Sequence, residues 1–249
     1  METIIPKTST ALSSLLRADF KTQWRNRRSV ILLLLVPVII LISWKGLVDK
    51  VGGPFVLSSC ITIGLTAIGL MGYSNAIARD RDKGVFQRLR VTPVPAWCIM
   101  VSRLIVQIAM ILLLTAVIFI VGNNYDKVTL TPAGYLVTFI TAFIGGALYL
   151  GLGQMIVGLV KNAETVNSTS RLVYFLFIMV GMFGDLGVLG EQLKTIIHWT
   201  PYGTVKTILA ASMKPRGWST ETSLALLVTI LYAIGFSYLV IKKFKWNTQ

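Results

Sequence analysis

Catalytic and metal-binding chemistry is scarce in this sequence. One residue of 249 is histidine, two are cysteine and ten are acidic. His198 alone cannot form a histidine-based metal site, and Cys60 and Cys98 fall at or within apolar runs, which indicates buried thiols rather than a disulfide framework. The sequence also lacks G-x-S-x-G, H-E-x-x-H and G-x-x-x-x-G-K-[ST] motifs. We therefore predict that the chain is not an enzyme by itself and binds no metal or cofactor.

Charge is the second scarcity, because charged residues make up 14% of the chain and almost none lie inside the apolar runs. Ion channels and secondary transporters need ionisable groups near the middle of the membrane, so neither class fits. Hydrophobic residues make up 54% of the sequence and its mean hydropathy is +0.72, which is too apolar for a soluble domain. We predict an all-α integral membrane protein, since helices satisfy their own backbone hydrogen bonds in lipid.

Six apolar runs are long enough to cross the roughly 30 Å hydrocarbon core of a bilayer as helices. They predict transmembrane helices at about 29–48, 54–78, 97–122, 135–160, 172–190 and 222–241. We predict a single transmembrane domain over residues 1–249. Besides the spans, it contains an interfacial amphipathic helix at 10–28, a cytoplasmic helix at 80–90 and outer re-entrant or interfacial helices at 191–221.

Lysine and arginine are divided unevenly between the two sides of this arrangement. Seventeen lie on the side of the two chain ends, and seven lie on the opposite side. Cytoplasmic loops carry the excess of basic residues in membrane proteins. We predict a multi-pass protein of the cell membrane with both termini and residues 80–90 in the cytoplasm. This placement beside apolar runs explains the net charge of +14 without nucleic acid as a partner.

The predicted interfacial helix has an apolar stripe with four-residue spacing. Its members are Leu12, Leu16, Phe20 and Trp24. Basic residues lie largely on its other faces, which is typical of a helix on the inner membrane surface. Two interpretations stay open, namely a basic leader that only sets topology and a helix that also contacts a partner protein.

A dense group of charges at residues 80–90 separates the second and third apolar runs. We predict a short helix that begins near Asp80, with Asp80 and Asp82 in its first turn, where carboxylates suit the helix dipole. The apolar side chains on one face of this helix are Val85, Phe86 and Leu89. That face needs a partner protein. The alternative is a basic loop that only fixes topology.

Small and polar residues inside the spans predict contacts between helices. Ala147 and Gly151 form a small-xxx-small pair, and Gln154 is expected to make a hydrogen bond between helices rather than to bind a ligand. Gly181 and Gly184, in a series that continues at 187 and 190, predict a broken or re-entrant end of the fifth span. We expect these spans to join two copies of the chain.

The sequence also supports expectations for Arg103 and for the outer segment. Arg103 is expected to extend its guanidinium to the headgroups rather than to line a substrate path. In the outer segment, the tryptophans and Tyr202 are expected at headgroup level. His198 is expected to have an interfacial or structural role.

Several of these features together resemble the ABC type 2 transporter permeases. The resemblance rests on the charged run Asp80 to Leu89, the following Thr92-Pro93, the early basic residue Arg103 in the next span, and the segment His198 to Tyr202 before the last span. It extends from about Leu12 to Lys245. The resemblance implies an ATP-driven exporter of a drug, peptide, lipid or glycan, in which this chain is the permease.

The resemblance also implies partners and site residues. Two permease copies would form a homodimer, with substrate moving along the interface between them, and a separate ABC ATPase would bind ATP and Mg. Residues 80–90 would form the coupling helix that docks on that ATPase. The docking residues would be Asp80, Asp82, Gly84, Val85, Phe86, Arg88 and Leu89. The dimer or pathway residues would be Ala147, Gly151, Gln154, Gly181 and Gly184. The rival from another class is a membrane scaffold or assembly factor that docks a cytoplasmic partner through the same segment.

Overall fold

The computed structural model describes residues 8–90, 95–185, 190–214 and 217–243, and their regular structure is entirely helical. The helices are α1 (Thr8–Arg25), α2 (Arg27–Ser43), α3 (Lys45–Val51), α4 (Gly53–Thr66), a π-helical stretch (Ala67–Tyr73), α5 (Ser74–Asp82), α6 (Val85–Arg90), α7 (Ala96–Asp126), α8 (Pro132–Leu159), α9 (Ala163–Asp185), α10 (Glu191–His198), α11 (Pro201–Ser212) and α12 (Thr220–Lys243).

Five helices in the described part of the chain are long and apolar enough to cross a membrane. They are Gly53–Asp82, Trp97–Asp126, Pro132–Leu159, Ala163–Gly184 and Thr220–Leu239. The bent pair α1 and α2, with 61° between its members, raises the number to six when it counts as one span. The predicted all-α membrane architecture is therefore confirmed.

The largest differences from the predicted helix boundaries are in the first and fifth spans. The first span was expected to continue to residue 48, but α2 runs through Pro37 and ends at Ser43, and α3 begins after a non-helical Trp44. The charged residues of α3 are therefore not part of the apolar helix α2. The fifth span was expected from residue 172, but α9 begins at Ala163, where the Asn162 side chain accepts a hydrogen bond of 2.8 Å from the Glu164 amide.

The helix formed by α4, the π-helical stretch and α5 is the centre of the fold. Nearly every residue of α4 is buried, and α2, α7, α8 and α11 pack around it. Its closest neighbour is α8, because Gly69 and Gly153 allow the two backbones to touch. A Cβ atom on Gly153 would lie 2.3 Å from the Gly69 carbonyl oxygen. Membrane helices gain stability from this close approach of small residues.

The outer segment is more deeply packed than predicted. Tyr202 was expected at headgroup level, yet it is 1% exposed, and α11 packs among α4, α8 and α12. The reason is that Gly181 leaves room for its ring, since a Cβ there would lie 2.3 Å from Tyr202 Cδ1. Gly184 leaves room for Ile197 in the same way. The helix does not break at these two glycines but continues to Asp185, and Gly187 lies outside the described residues.

Candidate functional site

The charged segment forms a helix end and a turn rather than one helix. The second span continues as α5 to Asp82, Gly84 has a φ of +67°, and α6 follows from Val85. Asp80 and Asp82 therefore lie in the last turn of α5, and the predicted stabilisation of a first helical turn is wrong for both. Glycine at this position avoids the steric cost of a left-handed backbone, and its amide closes the helix through a hydrogen bond of 3.0 Å to the Arg81 carbonyl.

The turn at Gly84 brings Phe86 of α6 next to Arg103 of α7. Phe86 is 6% exposed and belongs to the main hydrophobic core, and the Arg103 guanidinium carbon lies 5.5 Å from the centre of its ring. The expected exposure of Phe86 as the apolar anchor for a partner is therefore wrong. The side chain of Leu89 and the predicted helix stop at Thr92-Pro93 lie outside the described residues.

Arg103 points into the protein rather than towards the headgroups. Its Nη1 atom forms an ion pair with Asp80 Oδ2, and the two side chains are 16% and 28% exposed. The guanidinium is thus held between a carboxylate and the Phe86 ring, where both electrostatic and cation–π attraction act on it. This contact joins the end of α5 to the start of α7.

Arg81 joins the same end of α5 to α8. Its Nη1 donates to the Val157 carbonyl at 2.8 Å, and its Nη2 donates to the carbonyls of Val160 at 2.8 Å and Lys161 at 2.5 Å. Because α8 ends at Leu159, these carbonyls lie at the negative end of its dipole, and Arg81 caps them. No local sequence pattern distinguishes Arg81 from the other basic residues of the segment.

Asp82 reaches the next helix in the chain. Its Oδ2 accepts a hydrogen bond of 3.3 Å from the amide of Ala163, the first residue of α9. Two further polar contacts join α5 to α9 nearer the membrane centre: Asn75 to Asn167 at 3.2 Å and the hydroxyls of Ser74 and Ser170 at 2.9 Å. The end of α5 is therefore connected directly to α7, α8 and α9.

The predicted docking residues divide into buried and exposed groups. Phe86 is buried, and Asp80, Gly84 and Val85 are partly buried. Among the described side chains of the turn and of α6, the exposed ones are Asp82, Lys83, Gln87 and Arg88. We call these four residues the charged face. It carries both signs of charge and offers no large apolar side chain.

The small residues predicted for a dimer contact pack inside the chain. A Cβ atom on Gly151 would lie 3.5 Å from Phe236 Cβ, because α8 packs along α12 of the same chain. Ala147 is partly buried on the same helix. Gln154 makes the predicted bond between helices, since its Oε1 accepts from the Tyr73 hydroxyl at 3.4 Å. Gly151, Gly181 and Gly184 therefore have close neighbours within one chain, and their expected place at the dimer interface or in the substrate pathway stays a prediction.

His198 lies at the junction of α10 and α12. Its Nε2 is 3.1 Å from Glu221 Oε1, and its ring meets Trp199 edge to face. The neighbouring Thr200 caps α11 by accepting a hydrogen bond of 3.3 Å from the Gly203 amide. These contacts fit the structural role expected for the histidine. Among the residues described, no three histidine, cysteine or acidic side chains are grouped so that they could hold a metal ion.

Comparison with known proteins identifies relatives of this chain. The family described as "ABC-2 type transporter" matches residues 10–204. The "Putative transport permease YvfS" of Bacillus subtilis (strain 168) is 24% identical over 191 residues, which cover 74% of this chain and 78% of that protein. The matched region includes α1 from its third residue onward, the charged face and the connection between α8 and α9. The chain belongs to the ABC-2 type transporter family.

Proposed function

We propose that this chain is the transmembrane permease subunit of an ATP-driven exporter and that the charged face docks on a separate ABC ATPase. The observation that carries the proposal is the junction at the end of α5, where one short turn is bound to α7, α8 and α9. A force applied to the charged face would reach three spans through ion pairs and hydrogen bonds. ATP and Mg bind to the partner subunit in this scheme.

The composition of the charged face determines the kind of contact. Its exposed carboxylate and cations favour an interface of polar and ionic contacts, in which charge complementarity sets the partner and its orientation. Phe86, in the same segment as the charged face, packs in the hydrophobic core. The anchors of docking are then Asp82, Lys83 and Arg88.

The family and the charge pattern support the rest of the proposed assembly. Two permease copies pair in the cell membrane, with both termini and the charged face in the cytoplasm, where the basic residues concentrate. Substrate moves outward between the copies. Because the glycine-rich face of α8 is covered by α12, the second copy packs on another surface, and the exposed apolar residues of α2 and α9 offer one.

A pull-down from the native host tests docking. The tagged full-length chain should retain a protein that hydrolyses ATP, and Arg88→Glu should remove most of it without changing the amount of permease in the membrane. Arg171→Glu is the matched control, because it makes the same charge change at an exposed residue of α9 that lies outside the charged face. Equal ATPase recovery with both variants would contradict docking at the charged face. Recovery of a partner without ATP hydrolysis would favour the scaffold function instead.

A further inference from the structure

A polar pocket of about 390 Å³ lies between α1, α5 and α7, beside the charged face. Three cationic and two acidic side chains contribute to its lining, so its formal charge is +1. They are Asp19, Arg79, Asp80, Lys83 and Arg103. Gln107 also lines it, one turn beyond Arg103 on α7.

The orientation of α1 places this pocket at the membrane surface. Its residues that line the pocket are Asp19, Thr22 and Gln23, and Asn26 follows in the connection to α2. The three residues of α1 recur at helical spacing and form its polar face. Phe20 and Trp24 point away from the pocket and are 45% and 62% exposed. An exposed aromatic face on a helix with a polar inner face fits a helix at the lipid headgroup level.

Two buried polar atoms in the pocket wall have no hydrogen-bond partner among the described residues. They are the Gln107 Oε1 acceptor and the Arg103 Nε donor. Gln107 is only 6% exposed. Buried polar atoms are normally paired, so these two mark positions where a ligand can supply a donor and an acceptor. The carboxylates are already engaged, Asp19 by the Ser102 hydroxyl at 2.5 Å and Asp80 by Arg103.

We propose that this pocket binds the headgroup of a monoanionic phospholipid that carries hydroxyl groups, as phosphatidylglycerol does. The phosphodiester charge of −1 matches the +1 of the pocket, with its oxygens near Arg79 and Lys83 and within reach of Arg103 Nε. A headgroup hydroxyl donates to Gln107 Oε1. The acyl chains remain in the inner leaflet, next to the apolar side chains of Trp24, Ile31 and Leu34 near the bend between α1 and α2. The proposal rests on the membrane orientation given above and not on ATPase docking.

Native mass spectrometry of the purified full-length chain, without the ATPase, tests this site. Phosphatidylglycerol and phosphatidylcholine with identical acyl chains are the probes. We expect phosphatidylglycerol to bind about tenfold more tightly, because phosphatidylcholine has neither the net charge nor a hydroxyl donor. Lys83→Ala and Gln107→Leu should each remove most of this preference. Equal binding of the two lipids by the unaltered chain would overturn the proposal.

Matched variants separate the pocket from general charge effects. Arg88→Ala removes a cation from the same segment but outside the pocket lining, and Thr115→Val changes a buried hydroxyl of α7 that bonds its own helix. Both should keep the preference. Its loss in Arg88→Ala as well as Lys83→Ala would show non-specific electrostatics and reject the site. Competition by water-soluble glycerophosphoglycerol at the same concentration would identify a free phosphodiester site and reject a lipid.

Discussion

Arg81 and Asp82 are adjacent in the sequence but bind opposite ends of two different helices. The Arg81 guanidinium caps the carbonyl end of α8, and the Asp82 carboxylate accepts from the first amide of α9. Each charge has the sign that the helix dipole favours at its position. Together they hold the short connection between α8 and α9 against the end of α5. The turn that carries the charged face is therefore fixed to two membrane spans by neighbouring side chains.

The first prediction concerns this clamp. Arg81→Ala removes three hydrogen bonds from a charged donor and leaves terminal carbonyls uncapped, so it should lower the free energy of unfolding by about 2 kcal/mol. Thermal unfolding in detergent measures the change. Arg81→Lys should recover part of it. Arg79→Ala is the control, because Arg79 is exposed and its Nε bonds only its own helix, at Asn75 O; an equal loss in both variants would contradict the clamp.

The same variant tests coupling. The charged face is intact in Arg81→Ala, so the ATPase should still co-purify while transport per ATP hydrolysed falls. Loss of the ATPase together with transport would instead mean that Arg81 supports docking itself. Reconstituted vesicles with a transported dye, once one is identified for the native complex, provide the ratio of transport to hydrolysis.

The second prediction separates Phe86 from the docking surface. Truncating a buried phenylalanine leaves a cavity, and Phe86→Ala should lower the free energy of unfolding by about 3 kcal/mol. Arg88→Ala should leave unfolding unchanged within about 0.5 kcal/mol, because it is a surface substitution. Thermal unfolding of the permease alone measures both. Should Phe86→Ala leave stability intact, Phe86 would be free to serve as the exposed anchor that the sequence suggested.

The length of the apolar runs predicted the spans but not the partners of charged side chains. Long apolar runs form helices in lipid, so the number and order of the spans could be predicted from the positions of these runs in the sequence. The contact of Arg81 with Val157 spans 76 residues of sequence, and no local pattern encodes it. Gly84 was the one local signal for the break between α5 and α6, since glycine after a helix end commonly adopts a positive φ. Interpreting residues 80–90 as one helix overlooked it.

The glycines show a second limit of sequence analysis. A small residue in a membrane helix predicts close packing, but it does not say whether the neighbour is in the same chain. Gly181 was interpreted as a helix break, and the structure instead uses it to seat Tyr202. Gln154 was assigned correctly because a polar amide at that depth needs a hydrogen bond, and Tyr73 provides it. The need of Gln154 for a hydrogen bond was predictable from its residue type, whereas the identity of its partner depended on the fold.

The third prediction concerns orientation. Cysteines at Lys83 and at Lys127 should lie on opposite sides of the membrane, because α7 separates them as one span. In a background without Cys60 and Cys98, an impermeant thiol reagent added to intact cells should label Lys127→Cys but not Lys83→Cys. Permeabilised cells should label both. Labelling of Lys83→Cys in intact cells would reverse the proposed orientation.

The last prediction uses two glycines of α8 that differ in their surroundings. A Cβ atom on Gly151 would meet Phe236 and Ser237 at ordinary contact distance, 3.5 Å, whereas one on Gly153 would lie 2.3 Å from the Gly69 carbonyl oxygen. Gly151→Ala should therefore be tolerated. Gly153→Ala forces the backbones of α8 and the second span apart, so it should destabilise the chain by about 2 kcal/mol. Thermal unfolding measures the difference.

Crosslinking in membranes measures pairing of two copies. Since both glycines face helices of the same chain, Gly151→Leu should lower thermal stability but leave the crosslinked fraction of the folded protein unchanged. Loss of crosslinking at full stability would place Gly151 between two copies and reject its assigned contact with α12.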